Sequence, residues 1–429
     1  MHPSSLELPV WHAAHQARTA TARQLADWLC ASRARTLALV DAYADALGPT
    51  LPVSYAYQLN PPLWELGHIG WFQEFWLSRN PQRLLGVAAD PACLRAPSLL
   101  PQADALYNSS LVPHTTRWTL DLPDLAASKN YLAQVLQDTL ALLAHSPDDD
   151  AALYFYRLAL FHEDMHSEAA VYMAQALGLP LPPGLALARH QPRRHAHGAP
   201  SCQQGAAHWQ LGSNPLSPAD HPKAGFVFDN ELTAHSVVLP AFDIDSQAVS
   251  WHDYLPFVAQ GGYSEAQWWS EPGWQWLQSG QAQLGPRYLR QQAGALGTDG
   301  WQQHHFGQWQ TLDLTAPACH LSYFEAQAWC RWAGRQLPTE AQWEQAALSA
   351  PDFQWGEVWE WTASTFAPYP GFIAHPYRDY SAPWFGSRPV LRGASLATSA
   401  RMAHPNYRNY FTPERNDVHA GFRTCALTH

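Results

Sequence analysis

The chain of 429 residues is poor in cysteine, with six scattered at 30, 93, 202, 319, 330 and 425 and no CxxC pair among them. That spacing argues against a zinc ribbon, a dithiol redox motif and a disulfide framework. Charge is also sparse, at 14% Asp, Glu, Lys and Arg, and apart from the short Arg193-Arg194 segment there is no basic run. With a net charge of -11, nucleic acid and anionic membranes are excluded as expected partners. There is no long apolar stretch of the kind that spans a membrane, and Met1 to Arg23 is too polar for a secretory signal, so a cytoplasmic protein is expected. What is abundant is tryptophan, 21 residues, and proline, 35. Many of the indoles lie in the second half, which suggests a loop-rich domain held by aromatic packing. The length is too great for one ordinary core and implies two domains of about 200 residues each.

Chemistry concentrates in Tyr154-Phe-Tyr-Arg-Leu-Ala-Leu-Phe-His-Glu-Asp-Met-His-Ser-Glu168. His162 and His166 are four apart, so on a helix they share a face at a spacing that lets two imidazoles hold one metal. Phe155, Leu158, Met165, Ala169 and Met173 fall on the same stripe, whereas Glu163, Asp164, Ser167 and Glu168 fall largely on the other side, so the histidines point inward. Glu163 is expected to be solvated or to support a ligand from outside. About ninety residues earlier, Asn60-Pro61 reads as an N-cap and first helical residue, followed at helical spacing by Trp64, His68, Trp71 and Phe75. Any one of these histidines alone would be a hydrogen-bonded core residue. An i, i+4 pair with a third on a core stripe points to metal ligation.

The periodicity predicts helices over about 19–47, 61–79, 123–145 and from 148 onward, the last with Asp148-Asp-Asp150 at its positive end. A long connection between the second and third makes this a four-helix bundle, a common setting for metal sites. Residues 181–207, including Arg189-His-Gln-Pro-Arg-Arg-His-Ala-His197, lack apolar periodicity and read as a linker between a bundle, 1–180, and a second domain, 208–429. Beyond Trp209 come short strand-like pieces and two convincing helices. These follow Ser322 with Glu325 and Thr339 with Gln342 as capping boxes.

Leu337-Pro-Thr-Glu-Ala-Gln-Trp-Glu344, Trp359-Glu-Trp-Thr362, Leu391-Arg-Gly-Ala-Ser395 and Gly421-Phe-Arg423, in that order, resemble the formylglycine-generating-enzyme-like (sulfatase-modifying factor) domain, a C-type-lectin-like fold. Residues 20–178, with His68 and His162-Glu-Asp-Met-His166, resemble a DinB-type helical bundle. The fold class expected is therefore α plus α+β, a DinB-like four-helix bundle followed by a C-type-lectin-like domain. Together they resemble the iron-dependent sulfoxide synthases of ergothioneine and ovothiol biosynthesis and their relatives the selenoneine synthases. Asp149 to Ala169 and Tyr107 to Trp118 look most like the selenoneine branch.

That resemblance implies Fe(II) on His68, His162 and His166, with hercynine, a selenosugar and dioxygen as substrates and the C2 of hercynine's imidazole as the site of carbon–selenium bond formation. Tyr377 or Tyr380 would be the catalytic phenol. Asn409 and Tyr410 would surround the betaine, and Arg117 and Arg415 would bind polar groups of either substrate. Two departures support a donor without carboxylates. Phe411 stands where ergothioneine synthases often carry an acid, and the loop from Pro113 to Trp118 has one arginine where users of glutamyl-cysteine tend to have several. Arg401-Met-Ala-His-Pro-Asn-Tyr-Arg-Asn-Tyr410 lacks the cysteine pair with which formylglycine-generating enzymes bind copper. The alternatives are an ergothioneine-type sulfoxide synthase using cysteine or glutamyl-cysteine, a zinc-dependent thiol transferase, and a binding protein without catalysis. The oligomeric state is left open.

Overall fold

A computed structural model describes residues 11–187, 198, 200–214, 225–280, 285–294 and 299–427. The His-rich tract 189–197 lies outside them. A short helix α1, His12–Arg18, leads into α2, Ala22–Leu47, whose start is fixed by a capping box between Thr21 and Gln24. Helix α3 is Pro62–Trp76, α4 is Ala103–Tyr107 in the long crossover, and α5 is Leu125–Leu143, capped by Asp124. Helix α6, Asp150–Leu177, is capped by Asp149 and stopped by Gly178 in the left-handed region. Asp150 in its first turn pairs with Arg157 at 2.6 Å. The four long helices thus follow the predicted pattern, with one difference at α3. Its N-cap is Pro61, which offers no side-chain bond, and Asn60 is turned to another use described below.

The outer face of α6 differs more. The sequence pattern puts Glu163, Asp164, Ser167 and Glu168 toward water, yet the first three are buried. Glu163 pairs with Arg33 at 2.8 Å and accepts from Thr36, so it is not solvated, and none of its described bonds goes to His162, His166 or His68. Asp164 accepts from Ser32 and is clasped by Arg401 at 2.7 and 2.9 Å. Glu168 accepts from the Trp359 indole, Ser395 and Thr398 at 2.8, 2.6 and 2.8 Å. The polar stripe is an internal seam, where partners from α2 and from the C-terminal half satisfy each charge. A single-helix periodicity cannot distinguish that from solvent, since both favour polar residues.

After a one-turn helix α7, Pro183–Ala186, the chain enters the second half. Strand Ser201–Gln204, which falls inside the predicted linker, already pairs antiparallel with Phe242–Asp245 in a four-stranded sheet completed by Cys425–Ala426 and Arg335–Gln336. A strand spelled Ser-Cys-Gln-Gln has no apolar alternation to announce it. A second sheet places Trp359–Thr365 between Pro389–Gly393 and Ala420–Gly421, with Asn409–Tyr410 outside Pro389–Gly393. The two predicted capping boxes open α10, Tyr323–Ala333, and α11, Glu340–Ser349. Two further helices, α8 (Trp251–Ala259) and α9 (Glu271–Gln278), are capped by Ser250 and Ser270. Their interior Pro256 and early Pro272-Gly273 hide them from a propensity reading.

The recurrent motif residues hold this half together through buried ion pairs. Glu360 of the Trp-Glu-Trp-Thr strand accepts from the Trp343 indole at 2.8 Å and from Arg423, and Arg408 grips Glu340 at 2.9 and 3.0 Å. Arg392 meets Glu344, which also accepts from Gly212 N–H and the Trp209 indole at 3.0 and 3.2 Å. Removing one member of a fully buried pair strands the other charge, so Glu344→Ala is expected to cost about 3–5 kcal/mol, read as a lower urea midpoint. A midpoint within error of the parent would show that the pair carries no such weight.

Candidate metal centre

Each histidine of the predicted set reaches one point between α3 and α6. Their ligand atoms all lie within 4.8 Å of one another, and the rings are 4.4 to 5.1 Å apart. His68 faces its Nδ1 to the Tyr107 carbonyl at 2.8 Å, and His166 faces its Nδ1 to Glu65 Oε2 at 2.5 Å. Those partners accept a proton, so Nδ1 is the protonated nitrogen in each ring and Nε2 carries the lone pair. His162 is set instead by packing, its ring flat against Phe72 at 3.5 Å and 5°. Trp64 lies parallel to His68 at 4.8 Å and 10°. The approach of Tyr107 depends on Gly67, where a Cβ would fall 2.1 Å from the tyrosine ring.

Do these residues fit an ion? Nε2 of His162 and Nε2 of His166 are 3.2 Å apart. A shared proton could satisfy those two, but the third Nε2, from His68, turns the pair into a triangle that one proton cannot serve. A set of three imidazole nitrogens with Nδ1–H groups anchored on a carboxylate and a carbonyl is the donor chemistry of a divalent transition metal. All six cysteines are free thiols.

Electrostatics favour the neutral form of His68 and His162. Burial, reinforced by His166, holds His68 down to about 3, and burial with the other two imidazoles holds His162 well below the ordinary range. For Glu65, burial opposes ionisation, but the charge and hydrogen bond of His166 outweigh it and keep the carboxyl at about 2. Burial likewise lowers His375 and His419 to about 4, and His320 and His404 well below the usual value. The sign follows from linkage. These rings stay neutral when folded but bind protons below about 6.5 once unfolded, so stability is full above that pH and is lost as pH falls toward 3–4. Each such ring contributes a slope of about 1.4 kcal/mol per pH unit within the window. Urea midpoints at pH 7.5, 6.0 and 5.0 should fall in that order, and equal midpoints would contradict the buried neutral state.

The C-terminal half approaches this centre in the loop that carries Tyr377 and Tyr380. The Tyr377 ring contacts Phe72 edge-on at 4.9 Å and lies 6.3 Å from His162. Burial, together with Asp379, raises its phenol above the ordinary range. Tyr380 sits a further 6.0 Å along, stacked on Phe228, with its hydroxyl 2.8 Å from that of Tyr407 and both hydroxyls turned to the Met165 sulfur. Asp229 pins both ends of the loop, accepting from His375 N–H at 3.2 Å and Ser381 Oγ at 2.5 Å. Tyr410 donates to the Tyr380 carbonyl and stacks on Phe366 at 4.0 Å, and the Asn409 side-chain oxygen accepts from the Tyr410 N–H.

Phe411 and Arg415 gather elsewhere, around Tyr172, six residues or about 9 Å along α6 from His166. Arg415 is held by both oxygens of Asp417 at 2.5 and 2.7 Å. Arg117 lies over Trp64 at 3.8 Å and donates to Asn60 at 2.8 Å. The expected residues therefore form one cluster of His68, His162, His166 and Tyr377, with Tyr380 and Tyr410 behind it and Phe411 with Arg415 to one side. Glu65 is absent from the sequence reading, which has Asn60 only as a helix cap and Trp64 only as a neighbour of His68 on the helical stripe. A signal for Glu65 existed, since it stands three residues before His68 on one helical face, the spacing of neighbouring side chains.

Family models match in two blocks, the DinB superfamily over residues 29–174 and the sulfatase-modifying factor enzyme 1-like domain over 203–357 and 352–427. The chain is 33% identical to the hercynine oxygenase of Mycobacterium tuberculosis, over 93% of this chain and 98% of that one. The chain belongs to the hercynine oxygenase family. A second member, from Mycolicibacterium thermoresistibile, is 31% identical over 95% of this chain and 94% of its own. The formylglycine-generating enzyme of Streptomyces coelicolor is 24% identical over 56% of this chain and 96% of its own, as expected for a relative of one half. No helix among the described residues is long and apolar enough to cross a membrane.

Proposed function

We propose that this chain is an iron- and dioxygen-dependent enzyme that joins the imidazole C2 of hercynine to a chalcogen donor, in the manner of a sulfoxide synthase. The observation that supports the reading is the convergence of three imidazole nitrogens, with the Tyr377 ring 6.3 Å from that of His162, in a chain that matches hercynine oxygenases over nearly its whole length. With a thiol donor the atoms balance as R–SH plus imidazole C–H plus O2 giving an R–S(O)–imidazole and water. His68, His162 and His166 would hold Fe(II), which would supply dioxygen activation and an affinity for the soft donor.

The chain's own residues supply the rest. Glu65 and the Tyr107 carbonyl hold two ligand rings in the tautomer that presents Nε2, and Phe72 fixes the plane of the third. To Tyr377, a phenol that is protonated at neutral pH and that burial raises further above its ordinary range, we assign the delivery of a proton beside the reacting atoms. The Asn409 amide N–H₂ and the Tyr410 ring are the groups we assign to the betaine's carboxylate and quaternary ammonium, the latter attracted to an aromatic face.

A selenosugar is the second reading for the donor, favoured by one observation. The two arginines proposed for it are already engaged, Arg117 with Asn60 and Arg415 with Asp417, which suits a donor that brings no carboxylates. Kinship with hercynine oxygenases gives the thiol donor the better support. The test is anaerobic loading with Fe(II), then air with hercynine and cysteine, glutamyl-cysteine or a selenosugar in separate vessels, following oxygen uptake and product mass. A sulfoxide from a thiol supports the first reading, and a selenium adduct formed alone supports the second. Turnover with Zn(II) and no oxygen uptake would overturn both.

A further inference from the structure

The assignment of Arg117 to substrate is where the geometry points another way. Its Nη1 donates to Asn60 Oδ1 at 2.8 Å, the Asn60 Nδ2 donates to Glu65 Oε1 at 2.6 Å, and the other carboxylate oxygen of Glu65 meets His166 Nδ1 at 2.5 Å. The same guanidinium carbon lies over Trp64, 3.8 Å from its ring centroid, and Trp64 is the residue stacked on His68. One side chain thus touches the supports of two ligand histidines by independent routes. We infer that Arg117 is a positioning residue of the metal centre, orienting His166 through Asn60 and Glu65 and His68 through Trp64, and that it does not bind the donor. This rests on the metal-binding reading of the triad.

The local structure explains why an arginine at this place can do so. The crossover around it is fastened to the segment that precedes α3, with His114 Nε2 at 2.7 Å from the Leu59 carbonyl and the Trp118 indole donating to the Val53 carbonyl at 3.0 Å. Arg117 Nη2 is turned back to the Val112 carbonyl at 3.4 Å. The planar fork is therefore fixed from its own loop, and its charge faces the carboxylate that sets His166. Arginine combines a fixed charge, a planar group and directed donors, so a lysine would keep the charge and lose both geometries. A rigid loop acting on α3 also gives Asn60 a purpose that helix capping does not: its amide is donor to the acid and acceptor from the base at once.

The experiment is anaerobic titration of the full chain with Fe(II) and with Co(II), whose visible spectrum reports ligand geometry, on Arg117→Met, Arg117→Lys, Asn60→Asp and Asn60→Asp with Arg117→Met. Loss of an outer support of a metal ligand typically weakens binding about 10–100-fold, so each single variant should lose about tenfold or more and shift the Co(II) bands. Because both residues act along one chain, the double variant should lose less than the sum of the singles. At saturating metal the KM for either donor class should stay within about twofold of the parent, since kcat rather than donor binding would carry any residual effect. Parent-like metal affinity with a donor KM raised tenfold would assign Arg117 to the donor, and no change in either would make it a spectator; both overturn the inference. Should Arg117→Met fail to fold, Asn60→Asp and Arg117→Lys carry the test. His162→Ala run beside them separates the readings: if it keeps its metal, the triad itself is misread.

Discussion

His162→Ala is expected to empty the metal centre. The ring is 4% exposed, stacked on Phe72, and contributes one of three convergent nitrogens, and among the described residues no fourth His, Cys, Asp or Glu joins that group. Structural zinc sites with four ligands are worth about 10–16 kcal/mol, roughly 2.5–4 kcal/mol per ligand, and by that measure one ligand is worth on the order of 10²–10³ in affinity. At micromolar protein and metal the variant should therefore retain a small fraction of an equivalent after desalting, and oxygen uptake with hercynine and donor should fall by at least the same factor. The fold should survive, because α6 is held by its other faces: Asp164 to Arg401, Glu163 to Arg33 and Glu168 to Ser395 and Thr398. A full equivalent of bound metal in His162→Ala would sink the triad as the ligand set, and with it the proposed chemistry.

How much of this was readable beforehand depends on whether the cause is local. Thr21, Asp124, Asp149 and Gly178 end or begin helices through bonds within four residues of themselves, and the sequence carries that information directly. The pairing of His162 with His166 is local in the same sense, and His68 joins them because all three lie on apolar stripes that must face one core. Asn60 shows the limit. Asn followed by Pro is a helix-start signature, yet the amide is claimed by Arg117 and Glu65, the first of them 57 residues away. The polar face of α6 shows it again, because Arg33 and Arg401 come from positions 130 and 237 residues distant. A charged stripe that meets such partners in a dry seam has the same spelling as one that meets water. The same holds for the choice between Tyr377 and Tyr380, three residues apart in one loop. Their surroundings separate only in the fold, where Asp229 pins the loop, the Tyr377 ring packs against Phe72 beside His162, and the Tyr380 hydroxyl pairs with Tyr407.

That division supports unequal effects for the two phenols, and the second large prediction follows from it. Tyr377→Phe keeps the ring that packs against Phe72 and Trp76 and removes only the hydroxyl. A proton delivered by a positioned side chain is worth about 10²–10⁴ in rate, so kcat for oxidative coupling should fall by at least about 10² while metal affinity stays at the parent value. Tyr380→Phe removes a hydroxyl that is already bonded to Tyr407 and lies beside Met165, one ring farther from the histidines. Its cost should be that of a partly buried hydrogen bond, about 0.5–1.5 kcal/mol in stability, with kcat changed by less than about tenfold. Measuring both variants with the same metal loading makes the comparison internal. If Tyr380→Phe loses the activity and Tyr377→Phe keeps it, the proton comes through the Tyr380–Tyr407 pair and the ring nearest the histidines is packing. If oxygen is still consumed by Tyr377→Phe but without coupled product, the phenol directs the fate of the activated oxygen rather than the rate at which it is used, and product mass against oxygen uptake distinguishes that from a simple loss of turnover.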